Sequence, residues 1–210
     1  QRRDQPNLGT MKLSICIATV PDRADMFATL TTFLKNQPGF HDNCEIVSNA
    51  AERGTMSIGH KRNLLNQQAK GEYVVHIDDD DFVPDFYVSA MLQALEKNPD
   101  CVGHYELVEG LNKVPQIGIW TNESPKWMDG NEAMRRWSVS YVRTPFHKTA
   151  MRREIALQVP FNDMTFGEDH EFSIRLKQSG LIKREVFIPK VMQFYRYKFE
   201  PHEKKFPKVK

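Results

Sequence analysis

Four consecutive carboxylates, Asp78-Asp79-Asp80-Asp81, end the short apolar run Tyr73-Val74-Val75-His76-Ile77 and precede Phe82-Val83-Pro84. Dry and side by side, such groups repel one another strongly, so the cluster calls for water or for a hard divalent cation. Mg²⁺ or Mn²⁺ held through one or two carboxylates, with substrate phosphates in other positions, is the metal chemistry that suits it. A solvated acidic loop capping the next helix is the plainer alternative. A second acidic pair, Glu168-Asp169, follows Phe166-Gly167 at the head of a helical pattern with Phe172 and Leu176 on one face and Ser179-Gly180 at its end. There the helix dipole favours the charged carboxylate. An ordinary helix N-terminus carries the same pattern.

The elements that must hold these residues are legible in the first half. Residues 73–77 are β-branched and aromatic and read as a buried strand, and Pro84 fits the first turn of a helix carrying Phe86, Ala90 and Leu95. Residues 12–20 form a continuous apolar strand of the kind buried on both faces of a parallel sheet, stopped by Pro21-Asp22-Arg23. Met26, Leu30, Phe33 and Leu34 then make one helical stripe, closed by Pro38-Gly39. A strand over 45–48 and a short helix opened by Gly59-His60-Lys61-Arg62-Asn63 come next. Strand and helix alternate, which predicts an α/β sheet with right-handed crossovers. Ligands of such sheets sit at the carboxyl ends of the strands, so Thr19-Val20-Pro21, Asn49 and Asp78 to Asp81 should line one crevice.

The second half is less regular. Residues 101–107 and 114–120 read as strands joined by a turn near Gly110, 152–158 as a short helix, and 183–189 as a last strand. Residues 121–150, with Trp127, Trp137, Tyr141 and Pro145, show no defensible period, and Phe194-Tyr195-Arg196-Tyr197-Lys198 is aromatic and basic.

With 210 residues and 40% hydrophobic content, the chain can bury one substantial core. Residues 11–198 are expected to form a single domain, 1–10 a remnant or loose arm outside the fold, and 199–210 a basic tail. The net charge of +2 hides an asymmetry: residues 181–210 hold nine Lys/Arg against three Glu, net +6, which leaves −4 elsewhere. A basic end can meet phosphates of a nucleotide, nucleic acid or membrane surface, or simply aid solubility. Cys16, Cys44 and Cys101 are odd in number and set in apolar contexts, which predicts buried free thiols in a reducing compartment. No apolar stretch approaches the ~18 residues needed for a bilayer span and no secretory signal opens the chain, so a cytoplasmic location is expected.

Taken in order, these pieces resemble the family 2 glycosyltransferases of GT-A fold over residues 11–198. Leu13 to Arg23 is similar to the family's opening strand and nucleotide-binding turn. Lys61-Arg62-Asn63 through Ala69-Lys70-Gly71-Glu72-Tyr73 resembles its "RN … A.GEY" lead-in, and Ile77-Asp78-Asp79-Asp80-Asp81-Phe82 its DXD motif. Phe161-Asn162-Asp163 to Gly167-Glu168-Asp169-His170, with Arg175-Leu176 and Gly180, resembles its acceptor-side "ED … RL…G" motif. The resemblance implies an α/β, Rossmann-like, mixed but mainly parallel sheet flanked by helices, with residues 11–100 as the nucleotide-sugar half and 101–198 as the acceptor half. It implies Mn²⁺ or Mg²⁺ on Asp80 and Asp78, a nucleotide-sugar donor, most simply a UDP-sugar, held by Thr19, Pro21, Arg23, Asn49, Arg62, Asp78 and Asp79, and Asp169 as general base beside Glu168. A single displacement would invert the anomeric centre. His202 could add a late metal ligand. Asn49 stands where many relatives place Asp, which leaves the donor base open.

A saccharide or glycoconjugate is the acceptor the resemblance implies first. The basic end and the aromatic-basic stretches also suit DNA, as in a viral enzyme that sugars hydroxymethylated bases. Outside this class, a metal-dependent nucleotidyltransferase would need further carboxylates converging on the site, and a non-catalytic metal- or nucleotide-binding module would need the acidic loop alone.

Overall fold

The computed structural model describes residues 11–109 and 115–196. In chain order the elements are β1 (Leu13–Ala18), α1 (Ala24–Lys35), α2 (Phe40–Asn43), β2 (Cys44–Asn49), α3 (Ile58–Gln68), β3 (Tyr73–His76), α4 (Tyr87–Leu95), β4 (Cys101–Glu109), β5 (Gln116–Trp120), β6 (Met128–Asp129), α5 (Gly130–Trp137), β7 (Tyr141–Arg143), β8 (Ala150–Arg152), α6 (Arg153–Gln158), α7 (Glu168–Ser179) and β9 (Glu185–Arg196).

One mixed sheet carries them, in the order β2-β1-β3-β8-β4-β5-β7-β6, with β9 alongside β4. Its parallel character is concentrated in the first half, where β1 pairs β2 and β3 in parallel. From β8 onward the pairings are mixed, β3–β8, β4–β8, β4–β5 and β6–β7 antiparallel, β4–β9 and β5–β7 parallel. Both faces are covered. Leu13, Ile15 and Ile17 of β1 and Tyr73 and Val75 of β3 pack under α1 and α4, whereas the alternate residues Cys16 and Val74 face Leu65 of α3, Ile155 of α6 and Phe172 of α7. The two-residue strand period divides one apolar run between two cores. All three cysteines are buried free thiols, and burial pushes those of Cys16 and Cys44 up to about 12.

Two sequence expectations need correction, and one stretch without a period gains its elements. Pro84 is not in the first turn of α4: that helix starts at Tyr87, whose N–H donates to the Pro84 carbonyl at 3.1 Å. The stretch 121–150 is ordered, but as β6, α5 and β7, elements too short to show a period. The last strand does not end at Pro189. It runs to Arg196, and Pro189 falls where the register against β4 slips between His104 and Tyr105, the one kind of strand position at which a missing N–H costs no ladder bond. Gly180 closes α7 in the left-handed region (φ +64°), as the Ser179-Gly180 pattern predicts.

Candidate active site

Three contacts pin the loop that leaves β3. The N–H of His76 donates to the His147 carbonyl (2.9 Å), that of Ile77 to Cys16 (3.1 Å), and Phe82 and Phe194 exchange a pair of backbone bonds at 3.2 and 2.9 Å. Four neighbouring carboxylates therefore leave a fixed backbone in different directions. Asp78 accepts from Arg62 Nη2 at 3.1 Å, with His147 Nε2 at 3.6 Å and Lys148 Nζ at 3.9 Å. Asp79 is buried, and its two oxygens accept from Thr19 Oγ1 (2.8 Å) and Arg23 Nη1 (2.7 Å). Asp80 lies 3.5 Å from the same Arg23 nitrogen. Asp81 is fully buried and ion-paired with the ammonium of Lys148, which also reaches Glu106 at 3.4 Å.

The expected choice between water and a metal for the acidic run was thus incomplete, because the fold brings three cations of its own. Burial by itself raises a carboxyl, yet Arg62, His147 and Lys148 hold Asp78 well below the usual carboxylate range. Burial does prevail at Asp79, which is pushed up in spite of Thr19 and Arg23, and it raises Asp81 as well, with the Lys148 ammonium pulling the other way. His147, buried beside Arg62, is pushed down to about 4 and stays neutral at pH 7.

Arg62 joins the two acidic motifs. It projects from α3, whose start is capped by the Ser57 hydroxyl accepting from His60 N–H at 3.0 Å. The residue is 4% exposed; its guanidinium reaches Asp78 on one side and comes within 3.6 Å of Glu168 on the other, and its Nε and Nη1 hydrogens make no hydrogen bond. Gly167, in the left-handed region at φ +77°, turns the chain into α7, so Glu168 and Asp169 occupy the first turn as expected. Burial raises the Glu168 carboxyl against the pull of Arg62. Asp169 accepts from the His170 N–H at 2.8 Å.

A cavity of about 780 Å³ opens between these motifs, and Arg62, Asp78, Glu168 and Asp169 all line it. The other predicted donor residues do not, so the single expected crevice is divided. Thr19, Arg23, Asp79 and Asp80 form a neighbouring cluster at the ends of β1 and β3. Lys61, buried, ties it to the β2 side by donating to the carbonyls of Thr19 (2.9 Å) and Ala51. The Asn49 carbonyl accepts from Thr19 N–H, while its side-chain oxygen is taken by Ala51 N–H at 3.0 Å. Pro21 opens an exposed 3₁₀ turn, Pro21–Arg23. His202, Tyr197, Lys198 and the basic tail lie outside the described residues.

Much of the cavity wall comes from residues 106–150 and from the aromatic-basic segment at Tyr195, stretches the sequence offers for the acceptor without singling out a role for each residue. His147 and Lys148 come from the stretch without a period, Glu106 from the middle of β4, and Tyr195 from β9, where its ring lies 4.4 Å beneath the Lys148 ammonium. Trp127 and Tyr141 flank the Arg143 guanidinium at 4.7 and 4.8 Å, and Arg143 Nη2 is paired with Asp129 at 2.7 Å. No local pattern marks these residues, since strands distant in sequence bring them together.

A family model for glycosyl transferase family 2 matches residues 41–159, which include β3, the acidic run and the His147-Lys148 loop. The chain belongs to that family. Among solved structures, a crystal structure of S. aureus TarS 1-349 superposes with a TM-score of 0.61 at 14% identity, covering 89% of this chain and 60% of that one. The same fragment in complex with UDP-GlcNAc gives 0.62 at 14% identity over 91% and 60%. A structure of S. aureus TarS gives 0.62, covering 89% of this chain and 37% of that one. At this identity the likeness is one of fold, and it agrees with the GT-A architecture expected from the motifs. The chain spans about 60% of the length of the TarS fragment it matches. Comparison with curated protein sequences finds no match. No helix among the described residues is long and apolar enough to cross a membrane.

Proposed function

We propose that this protein transfers a sugar from a nucleotide sugar, most simply a UDP-sugar, to a hydroxyl of a saccharide or glycoconjugate, with inversion at the anomeric carbon. The observation that carries the reading is the position of Arg62, which links the donor-side Asp78 and the acceptor-side Glu168 across one wall of a single cavity. Its guanidinium, set between Asp78 and Glu168, brings a fixed positive charge to the wall where a leaving diphosphate develops its own charge. Asp169 takes the proton of the acceptor hydroxyl as that oxygen attacks, and Glu168, kept beside Arg62, shapes the site. One base and one displacement imply inversion. The UDP-GlcNAc complex of the TarS fragment supports a UDP-sugar donor.

Asp80 and Asp78, the two carboxylates of the run that keep some exposure while Asp79 and Asp81 are buried, would hold an Mg²⁺ or Mn²⁺ ion and leave room for the phosphates and waters such ions keep. When bound there, the ion supplies charge neutralisation for the departing diphosphate. Among the described residues no group of three or more His, Cys, Asp or Glu side chains is placed to hold a metal ion. In this reading Thr19, Arg23 and Asp79 hold the nucleotide end.

Incubation with a panel of UDP-, GDP- and dTDP-sugars and Mn²⁺, monitored for nucleotide release, tests the proposal. Release from at least one donor is expected. Nucleotide binding without turnover in the presence of hydroxylated acceptors would count against an enzyme.

A further inference from the structure

Phe166 is 89% exposed, the most open of the large apolar side chains among the described residues, and it lines the cavity two residues before Glu168 and three before Asp169. Nothing in the fold uses its ring. An exposed phenyl group at the mouth of a cavity, beside the helix turn that carries its acidic pair, is positioned to contact what the cavity binds. The cavity around it has a definite character. Gln116, Asn131 and Ser140 contribute neutral hydrogen-bonding groups, and Met134, 54% exposed, adds a second apolar contact. The charged lining is five carboxylates (Asp78, Glu106, Asp129, Glu168, Asp169) against three cations (Arg62, Arg143, Lys148), and each cation is already paired with carboxylates of the protein. A phosphodiester acceptor would meet this excess of negative charge beside the base.

Resting on the glycosyltransferase reading above, we propose that Phe166 is the acceptor-gripping residue, stacking on the apolar face of an uncharged sugar ring whose hydroxyls are read by the neutral and carboxylate groups of the cavity wall. The ring would thereby be held over the first turn of α7, with one hydroxyl presented to Asp169. The contact is made by the acceptor alone, so Phe166 governs which acceptor is used and leaves the donor untouched.

The test combines three readouts on the intact chain and on Phe166→Ala and Phe166→Tyr: nucleotide release from a UDP-sugar in water, transfer to a panel of neutral di- and trisaccharides, and direct binding of the same saccharides in the presence of UDP. Because the side chain is exposed, neither substitution should disturb folding, which a melting curve verifies. Phe166→Ala should weaken saccharide binding and raise the acceptor KM about tenfold, the scale of one lost aromatic contact, with kcat and donor hydrolysis unchanged, and Phe166→Tyr should restore both. An unchanged acceptor KM and affinity, or an equal loss in donor hydrolysis, would overturn the assignment. So would preferential use of a single-stranded DNA oligonucleotide over every neutral saccharide. Should the unaltered protein release nucleotide from no donor while still binding saccharides through Phe166, the glycosyltransferase reading would fall and the ligand class would stand.

Discussion

Arg62 can serve two carboxylates at once because α3 buries its stem and leaves the planar, fixed fork of the guanidinium between them. Asp169 sits on the far side of that link, away from the Thr19–Arg23–Asp79 cluster. Asp169→Asn should therefore lower transfer by ~10² or more while UDP affinity changes less than about twofold, measured by steady-state kinetics and by calorimetric titration. A comparable loss in UDP affinity would assign Asp169 to the nucleotide instead. Asp80 differs from Asp79 and Asp81 in keeping some exposure, 15% of its side chain. Asp80→Asn removes one charge from a crowded acidic run, so it should abolish Mn²⁺-dependent UDP binding and leave stability within about 0.5 kcal/mol. Retained Mn²⁺-dependent affinity in the same titration would remove Asp80 from the metal site.

The elements that meet at Lys148 form a buried charge network. The loop before β8 carries the ammonium, the loop after β3 supplies Asp81, β4 supplies Glu106, and Tyr141 of β7 donates to Glu106 at 2.7 Å. Burial by itself would lower a lysine, but Asp81, Glu106 and Asp78 hold Lys148 well above its ordinary value, so it stays charged. Lys148→Met keeps the volume and leaves two buried carboxylates without their cation. It should cost about 3–5 kcal/mol in urea unfolding, and adding Asp81→Asn should recover part of that loss. No recovery would mean that packing of the side chain, rather than its charge, holds these elements together.

For the whole molecule, three buried histidines set the response to acid. Burial pushes His76 well below its ordinary value, lowers His104, and takes His147 to about 4. Below the ordinary histidine pKa of about 6.5 the unfolded chain takes up protons that the folded chain refuses, so these histidines destabilise the fold as pH falls, by on the order of 1 kcal/mol per pH unit for His76 and His147, which are shifted furthest. The buried carboxyls of Asp81, Asp79, Glu168 and Glu185, all raised by burial, act in the opposite sense. Removing the His76 contribution by His76→Gln should therefore make stability fall less, or rise more, between pH 6.5 and 5 than in the unaltered protein. Urea titrations at pH 7, 6 and 5 on both proteins measure it, and identical slopes would contradict the account.

The sequence alone determined the first half of this protein. The apolar runs before Pro21 and Asp78, the stripe Met26–Leu30–Phe33–Leu34 and the stop at Gly180 are local signals, set by the two-residue period of a strand, the 3.6-residue period of a helix and the φ > 0 that glycine permits. The acidic motifs and the family they belong to were legible for the same reason, being contiguous in the chain. Only the tertiary structure decided what each carboxylate does. That Asp81 is buried on Lys148 while Asp78 faces a cavity, or that Trp127, Tyr141 and Tyr195 wall a site begun by Arg62, depends on strands β4, β5, β7 and β9 meeting across long separations in sequence. Those elements are short or irregular, and the pairing that places their side chains is a property of the sheet, which no local pattern encodes.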